Sequence, residues 1–287
     1  MNARSELRTA EPRDIPACGK AMYEAFRDIA ERHNFTPDFP SPEVAGGLLN
    51  VLLEAPDVDA FVAEEDGKIV GSIFVSRRSP VGGISVVTVD PGVQNRAIGR
   101  RLMLHGMECL TEQGHTRQQL IQAGYHSRSL CLYAKLGFIA SDLLSNMYGG
   151  PIKEDFPGRT VRQAEDGDAE ACNALCRKVH GFDRAGEVAA AIAQGAASVV
   201  ESDGKITGYT TGVGFVGHGV GESNDDLKAM IASVDEFMGP GVLIPTTNGE
   251  LFRWCLEKGL RVSQQLTLMD TAPEGPPDGV YWPSVLC

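Results

Sequence analysis

With 287 residues the chain has room for two domains of ordinary size, and 43% hydrophobic against 22% charged residues is the balance of a globular protein. A formal net charge of −12 with no basic stripe argues against a nucleic-acid surface, and no apolar run approaches the length of a membrane span. Seven cysteines, with no C-x-x-C pair, read as thiols of a reducing cytosol, and no metal site is expected. Met1-Asn2-Ala3-Arg4 lead into no apolar run, so no signal peptide is expected and the expected location is cytoplasmic. Cys287 is the thiol expected to be accessible.

In chain order, Leu7, Arg8 and Thr9 read as a strand, followed by a helix over residues 14–33 that Asp14 caps. Ser41 and Pro42 suit the N-cap and first turn of a second helix, over 41–53. Asp66-Gly67 between apolar runs signals a hairpin. Val86, Val87, Thr88 and Val89 make a β-branched strand that Pro91 ends, because proline cannot donate to a ladder. Gln94-Asn95-Arg96-Ala97-Ile98-Gly99 then turns tightly into an amphipathic helix starting near Ile98. Small residues there let backbone N–H groups converge on something that approaches closely, and a helix N-terminus of that kind suits a pyrophosphate. Arg96, Arg100 and Arg101 add positive charge beside those amides. A strand over 118–122, a helix containing Tyr133 and a strand after Leu136-Gly137-Phe138 complete the first half.

The loop resembles the acyl-CoA loop of the GNAT superfamily of N-acyltransferases, Q/R-x-x-G-x-G/A at a strand-to-helix turn, with Ala97 in place of its first glycine. If that position needs positive φ an alanine resists it; if it needs only a small side chain, alanine serves. The segment Leu132-Tyr133-Ala134-Lys135-Leu136-Gly137-Phe138 resembles the superfamily's later L-Y-x-K-L-G-F helix, whose tyrosine protonates the leaving thiolate; Tyr133 matches it. Where the family often has Asn, seven residues earlier, this chain has His126. The resemblance implies acetyl-CoA as co-substrate, cradled by Gln94, Asn95, Arg96, Ala97, Ile98, Gly99 and Arg100. It further implies that a splayed strand with Val87, Thr88 and Val89 offers backbone groups to pantetheine and carbonyl, with the Val89 amide as oxyanion donor. Tyr133 and His126 form the expected catalytic set. His126, His218 and Glu222 are the candidate bases, although a helix cap is the plainer reading of His126 and a flexible hairpin that of His218.

The second half repeats the first. Leu7 to Cys18 parallels Val161 to Cys172, with Asp168 in the capping place of Asp14; Asp66-Gly67 parallels Asp203-Gly204, and Gly137 parallels Gly259. Matches in the same order mean duplication of one domain. The expected division is residues 1–150, a linker at 151–158 and a second copy at 159–287. That copy has no phosphate loop, carries Glu222, Asp225 and Asp226 where a pyrophosphate would be repelled, and has Cys255 in the place of Tyr133. Asn224 or Asp225 is expected to cap a helix reaching about Phe237.

The expected fold is α/β with a mixed sheet: two tandem GNAT-like domains, each a central, mostly antiparallel sheet flanked by helices. The expected function is transfer of acetyl from acetyl-CoA to a primary amine, most simply of a small molecule, by direct attack in a ternary complex. The rival is a non-catalytic acyl-CoA-binding or interaction protein. The apolar tail from Tyr281 must dock, either between the copies or in a homodimer contact.

Overall fold

The computed structural model describes residues 5–286, so residues 1–4 and Cys287, with the expectations attached to them, lie outside the described residues. The first half runs β1 (Glu6–Thr9), α1 (Ile15–Arg32), α2 (Pro42–Glu54), β2 (Val58–Glu65), β3 (Lys68–Ser76), β4 (Gly82–Val89), α3 (Ile98–Glu112), β5 (Gln118–Ala123), α4 (Ser127–Lys135) and β6 (Ile139–Tyr148). The second runs β7 (Thr160–Gln163), α5 (Ala169–His180), α6 (Ala185–Ala193), β8 (Ser198–Ser202), β9 (Lys205–Thr210), β10 (Gly219–Gly221), α7 (Asn224–Ala232), β11 (Val242–Pro245), α8 (Gly249–Glu257), β12 (Arg261–Asp270) and β13 (Val280–Trp282).

The duplication is written into local chemistry. Asp66 (φ 51°) and Gly67 (φ 75°) both stand left-handed, as do Asp203 (50°) and Gly204 (72°), which is what a type I′ hairpin turn requires. Arg8 reaches Asp14 at 2.6 Å and Glu64 at 2.8 Å; Arg162 reaches Asp168 at 2.6 Å and Glu201 at 2.7 Å. These pairs correct one expectation. Asp14 and Asp168 do not cap α1 and α5; each accepts an N–H from Glu11 or Glu165 at 2.8 Å, closing a 3₁₀ turn, and takes the arginine of the neighbouring strand. Bidentate charge-assisted bonding outweighs a single capping amide. Ser41 does cap α2, accepting the Val44 N–H at 3.4 Å. In α7 the capping box is Ser223 with Asp226, not Asn224 or Asp225, and the helix stops at Ala232, before Phe237.

The strands form one sheet in the order β1-β2-β3-β4-β5-β12-β6-β11 and a second in the order β13-β10-β9-β8-β7. The closing strand β6 therefore does not lie beside β5: β12, from the second half, stands between them. Leu144 faces Leu266 across the β6–β12 ladder, and each stands seven residues after the glycine of its turn, Gly137 and Gly259. Ala123 beside Leu266 and Pro245 beside Leu144 are likewise equivalent positions. The copies thus meet through equivalent strands about a pseudo-twofold axis, as in an isologous dimer, with Leu144, Leu243, Leu266 and Leu268 buried at the seam.

Helices cover both faces of the first copy: α1 and α2 bury Cys18, Met22 and Leu49 against Phe74, while α3 sets Leu102, Met103 and Leu110 against Ile73. Gly19 lets α1 meet α2, since a Cβ there would lie 2.7 Å from the Gly46 Cα. In the second copy β13 pairs with β10, and Trp282 is fully buried. The tail then crosses to the first copy, where the Ser85 hydroxyl donates to the Leu286 carbonyl at 3.0 Å. It bridges the copies within one chain. Among the described residues, no helix is long and apolar enough to cross a membrane.

Candidate active site

Strand β4 pairs with β5 in parallel at Gly82, Gly83 and Ile84, against Gln118, Gln119 and Leu120, and no further. Beyond Ile84 the strands diverge, and a cavity of about 350 Å³ opens between residues 85–89 and 121–123. Val87, Thr88, Val89, Gln94, Asn95, Ala97, Ile98, Gly99, Arg100, His126 and Tyr133 all line it. Arg96 does not; its guanidinium turns out to Glu65 at 3.3 Å. Arg101 is likewise spent, on the Ser5 hydroxyl at 2.7 Å. The Thr88 hydroxyl is committed to Ser72 at 2.9 Å, and its backbone pairs with Ser72 of β3, so it is the backbone of Val87 and Val89 that β4 turns to the cleft.

The loop is held from two sides. Asp90 accepts the Gly92 N–H at 2.7 Å, and the Gln94 amide donates to the Val89 carbonyl at 3.2 Å. From α4, Arg128 donates to Gln94 Oε1 at 3.1 Å and to Asn95 Oδ1 at 2.9 Å. Sequence reasoning passed over Arg128 because its role depends on α4 docking against the loop, which no local pattern records. No side chain caps α3, so its first-turn amides, which have no intrahelical acceptor, are left facing the cleft mouth with the positive end of the helix dipole. Gly99 has no packing reason to be glycine: a Cβ there would meet Val89 Cγ2 at 3.5 Å and Leu132 Cδ2 at 3.8 Å, ordinary contacts. Room kept open beside these amides and Arg100, which has no acidic partner among the described residues, is what an approaching phosphate group needs.

Ala97 answers the question of its backbone: φ is 60° and ψ 13°, left-handed. The strain of that conformation for an L-residue is roughly 1–2 kcal/mol, against roughly 0.5–1 kcal/mol of extra chain entropy that a glycine loses on folding. Ala97→Gly is therefore expected to leave stability unchanged or raise it by up to about 1 kcal/mol, with CoA affinity held or improved; thermal melts and a CoA titration of the variant check both.

Tyr133 is half-buried at the cleft wall, its ring edge-on to Phe138 at 6.3 Å. Burial pushes its hydroxyl up to about 12, so it is protonated at neutral pH. His126 also lines the cleft. Burial, aided by the charge of Arg128 and by His33, lowers its imidazole to about 4, so it is neutral at working pH. Its side chain does not cap α4; its carbonyl takes the Ser129 hydroxyl at 2.8 Å. His218 and Glu222 do not line the cleft: His218 is buried between Glu187 at 2.9 Å and the Tyr209 hydroxyl at 2.8 Å, and Glu222 pairs with Lys178 at 2.8 Å. At the α1 end stand groups the sequence did not single out, Asp28, Asp38 and Tyr125. Tyr125 stacks on Phe35 at 4.3 Å, and its hydroxyl is pushed up to about 12 by burial and by Asp38.

The second copy lacks this arrangement. Strands β10 and β11 fall in different sheets, and β13 lies on the edge of β10 that faces the gap. Cys255, in the place of Tyr133, is fully buried, its thiol pushed up to about 12 by burial.

Residues 56–140, which hold β4, the loop and Tyr133, match the family model described as an acetyltransferase (GNAT) domain. The chain is similar to a mycothiol acetyltransferase of Thermomonospora curvata, 35% identical over 134 residues, covering 46% of this chain and 43% of that protein. It spans less than half the length of the curated relatives it matches. A putative acetyltransferase from Pyrococcus horikoshii shares the fold at TM-score 0.70 and 15% identity, over 98% of this chain and 95% of that one. A tandem GNAT protein from the clavulanic acid biosynthesis pathway shares it at 0.59 and 13%, over 95% and 100%.

Proposed function

The chain carries a GNAT acetyltransferase domain in a tandem GNAT fold, and from that premise we propose that its first copy transfers acetyl from acetyl-CoA to the primary amine of a small molecule. The observation that carries the reading is the splayed β4–β5 cleft with uncapped amides at one end and a protonated phenol in its wall. The mycothiol acetyltransferase relatives are in keeping with a small-molecule acceptor. The second copy shapes the seam and binds no cofactor of its own.

In this reading the α3 amides with Gly99, Arg100 and Arg128 hold the pyrophosphate, and the divergent stretch of β4 holds the pantetheine. Bound there, acetyl-CoA supplies an activated thioester. The Val89 N–H donates to the carbonyl oxygen as negative charge develops on it, and Tyr133 hydrogen-bonds the leaving sulfur. Both partners are held in one cleft, so attack becomes effectively unimolecular. His126, neutral but with its pKa near 4, is a weak acceptor for the amine's proton.

The non-catalytic alternative is favoured by one observation, that the cleft stretch of β4 from Ser85 to Val89 carries no carboxylate to act as base. A calorimetric titration with acetyl-CoA and then CoA, followed by an amine panel, separates the readings. One site per chain and turnover of an amine support the enzyme; one site without turnover supports the binding protein. No binding up to millimolar cofactor overturns both.

A further inference from the structure

The charges that line the cleft fall into two groups. At the loop end Arg100 has no acidic partner among the described residues, and Arg128 is engaged by the neutral amides of Gln94 and Asn95. At the α1 end stand the two carboxylates that line the cleft, Asp28 and Asp38. Asp28 is answered by Arg32 at 3.0 Å. Asp38 is not answered by a cation: among the described residues its side chain is reached by the neutral Gln264 amide, at 3.5 Å. Among the described residues, two positive charges without acidic partners thus stand by the loop, and one carboxylate without a cationic partner stands beside α1 and β12.

Resting on the acetyltransferase reading, we propose that Asp38 is the residue that anchors the ammonium group of the acceptor, so that the cleft selects a cationic primary amine. The loop suits the phosphates of the co-substrate, and the unpaired carboxylate elsewhere in the same cleft suits a second ligand of opposite sign. An acceptor seated over Asp38 strips water from its carboxylate, a cost that an ammonium offsets with a charge-assisted bond and a neutral or anionic group does not. The residue is exposed at the rim, where an incoming ligand can reach it, and the protein packed on its inner side holds its pKa above the ordinary aspartate range by desolvation. Tyr125, with His33 tilted against it at 5.5 Å, Gln264 and the Asp28–Arg32 pair surround this end, and among the described residues no cation is paired with Asp38. Gln264 lies on β12, so the second copy orients the acceptor end of the first copy's cleft. Asp38 is a specificity residue here: it decides which acceptors bind.

The test titrates the full chain, with and without saturating CoA, with phenethylamine against 2-phenylethanol and putrescine against 1,4-butanediol, followed by NMR line shifts. Each amine is expected to bind at least about tenfold more tightly than its alcohol, the scale of one charge-assisted bond. Asp38→Asn should erase that advantage and Asp38→Glu should retain part of it, with CoA affinity within twofold of the parent in both. Equal binding of amine and alcohol, binding of neither, or an advantage that survives Asp38→Asn would overturn the proposal. Failure to bind CoA would instead sink the acetyltransferase reading, which the amine titration run without CoA does not depend on.

Discussion

Tyr133→Phe is expected to lower kcat by about 10²-fold while the Kd for CoA stays within twofold and the melting temperature barely moves. The size of the loss follows from the acidity of the phenol. General acid catalysis by a well-matched group is worth roughly 10²–10⁴-fold. Tyr133, held at about 12 by burial, is a far weaker acid than a thiol, whose pKa is roughly 8.5, so complete transfer of its proton to the departing sulfur runs uphill by three to four powers of ten. The hydroxyl then acts chiefly as a hydrogen-bond donor to developing thiolate charge, which puts the effect at the low end of the range. The same value fixes the sign of the pH dependence. The phenol is the acid form at every pH below about 12, so Tyr133 contributes no alkaline limb to kcat across the ordinary working range. Phenylalanine keeps the edge-on contact with Phe138, so stability is preserved. Steady-state kinetics at saturating amine, beside a CoA titration of the variant, check the split. A variant with unchanged kcat would remove Tyr133 from the chemistry, and one that loses CoA affinity in proportion would make it a binding residue.

How much of this site was legible beforehand depended on whether its signals were local. The loop from Gln94 to Gly99 and the two Asp-Gly hairpins could be read because backbone conformation there is set by neighbours in sequence, and Asp66, Gly67, Asp203 and Gly204 do adopt the left-handed pair the turn demands. The internal repeat could be read for the same reason, strand by strand. Choices between competing partners could not. Asp14 offers its carboxylate either to the amides of α1 or to Arg8, and only the packing of β1 on β2 brings Glu64 and Arg8 close enough to decide it. The exchange of closing strands lay beyond sequence reasoning altogether. Both β6 and β12 are exposed in their first halves and buried in their second, so each would satisfy either copy. What favours the exchange is that pairing β6 with β12 antiparallel buries both at one continuous seam. Asp38 was invisible for a related reason. It sits in a connection between two helices, and its significance is the lack of a cation nearby, a property of the folded cleft and not of any motif.

Trp282→Ala carries the largest expected loss of stability, about 3–5 kcal/mol, or a fall in Tm on the order of 10 °C. The side chain is fully buried, packs in the core with Met230, Leu251 and Trp254, and donates its Nε1–H to the Gly217 carbonyl at 3.2 Å. Its ring lies so close over β10 that a Cβ on Gly219 would stand 2.4 Å from it. Little room exists for collapse into the vacated space, because Met230, Leu251 and Trp254 pack in the same core and β10 lies directly against the ring. Emptying that space should not create a second cofactor site. At the α7 N-terminus, the counterpart of α3, Ser223 and Asp226 take up the amides in a capping box, and Asp225 and Asp226 oppose a pyrophosphate where Arg100 would attract one. Arg159 pairs with Asp226 at 2.9 Å and Lys228 with Asp225 at 3.2 Å, so neither cation is free to take a phosphate. The CoA stoichiometry of Trp282→Ala, measured below its lowered Tm, is therefore expected to remain one per chain. A second equivalent in the variant would mean that the tail alone keeps the second copy silent, and that the acidic helix start is no barrier to the cofactor.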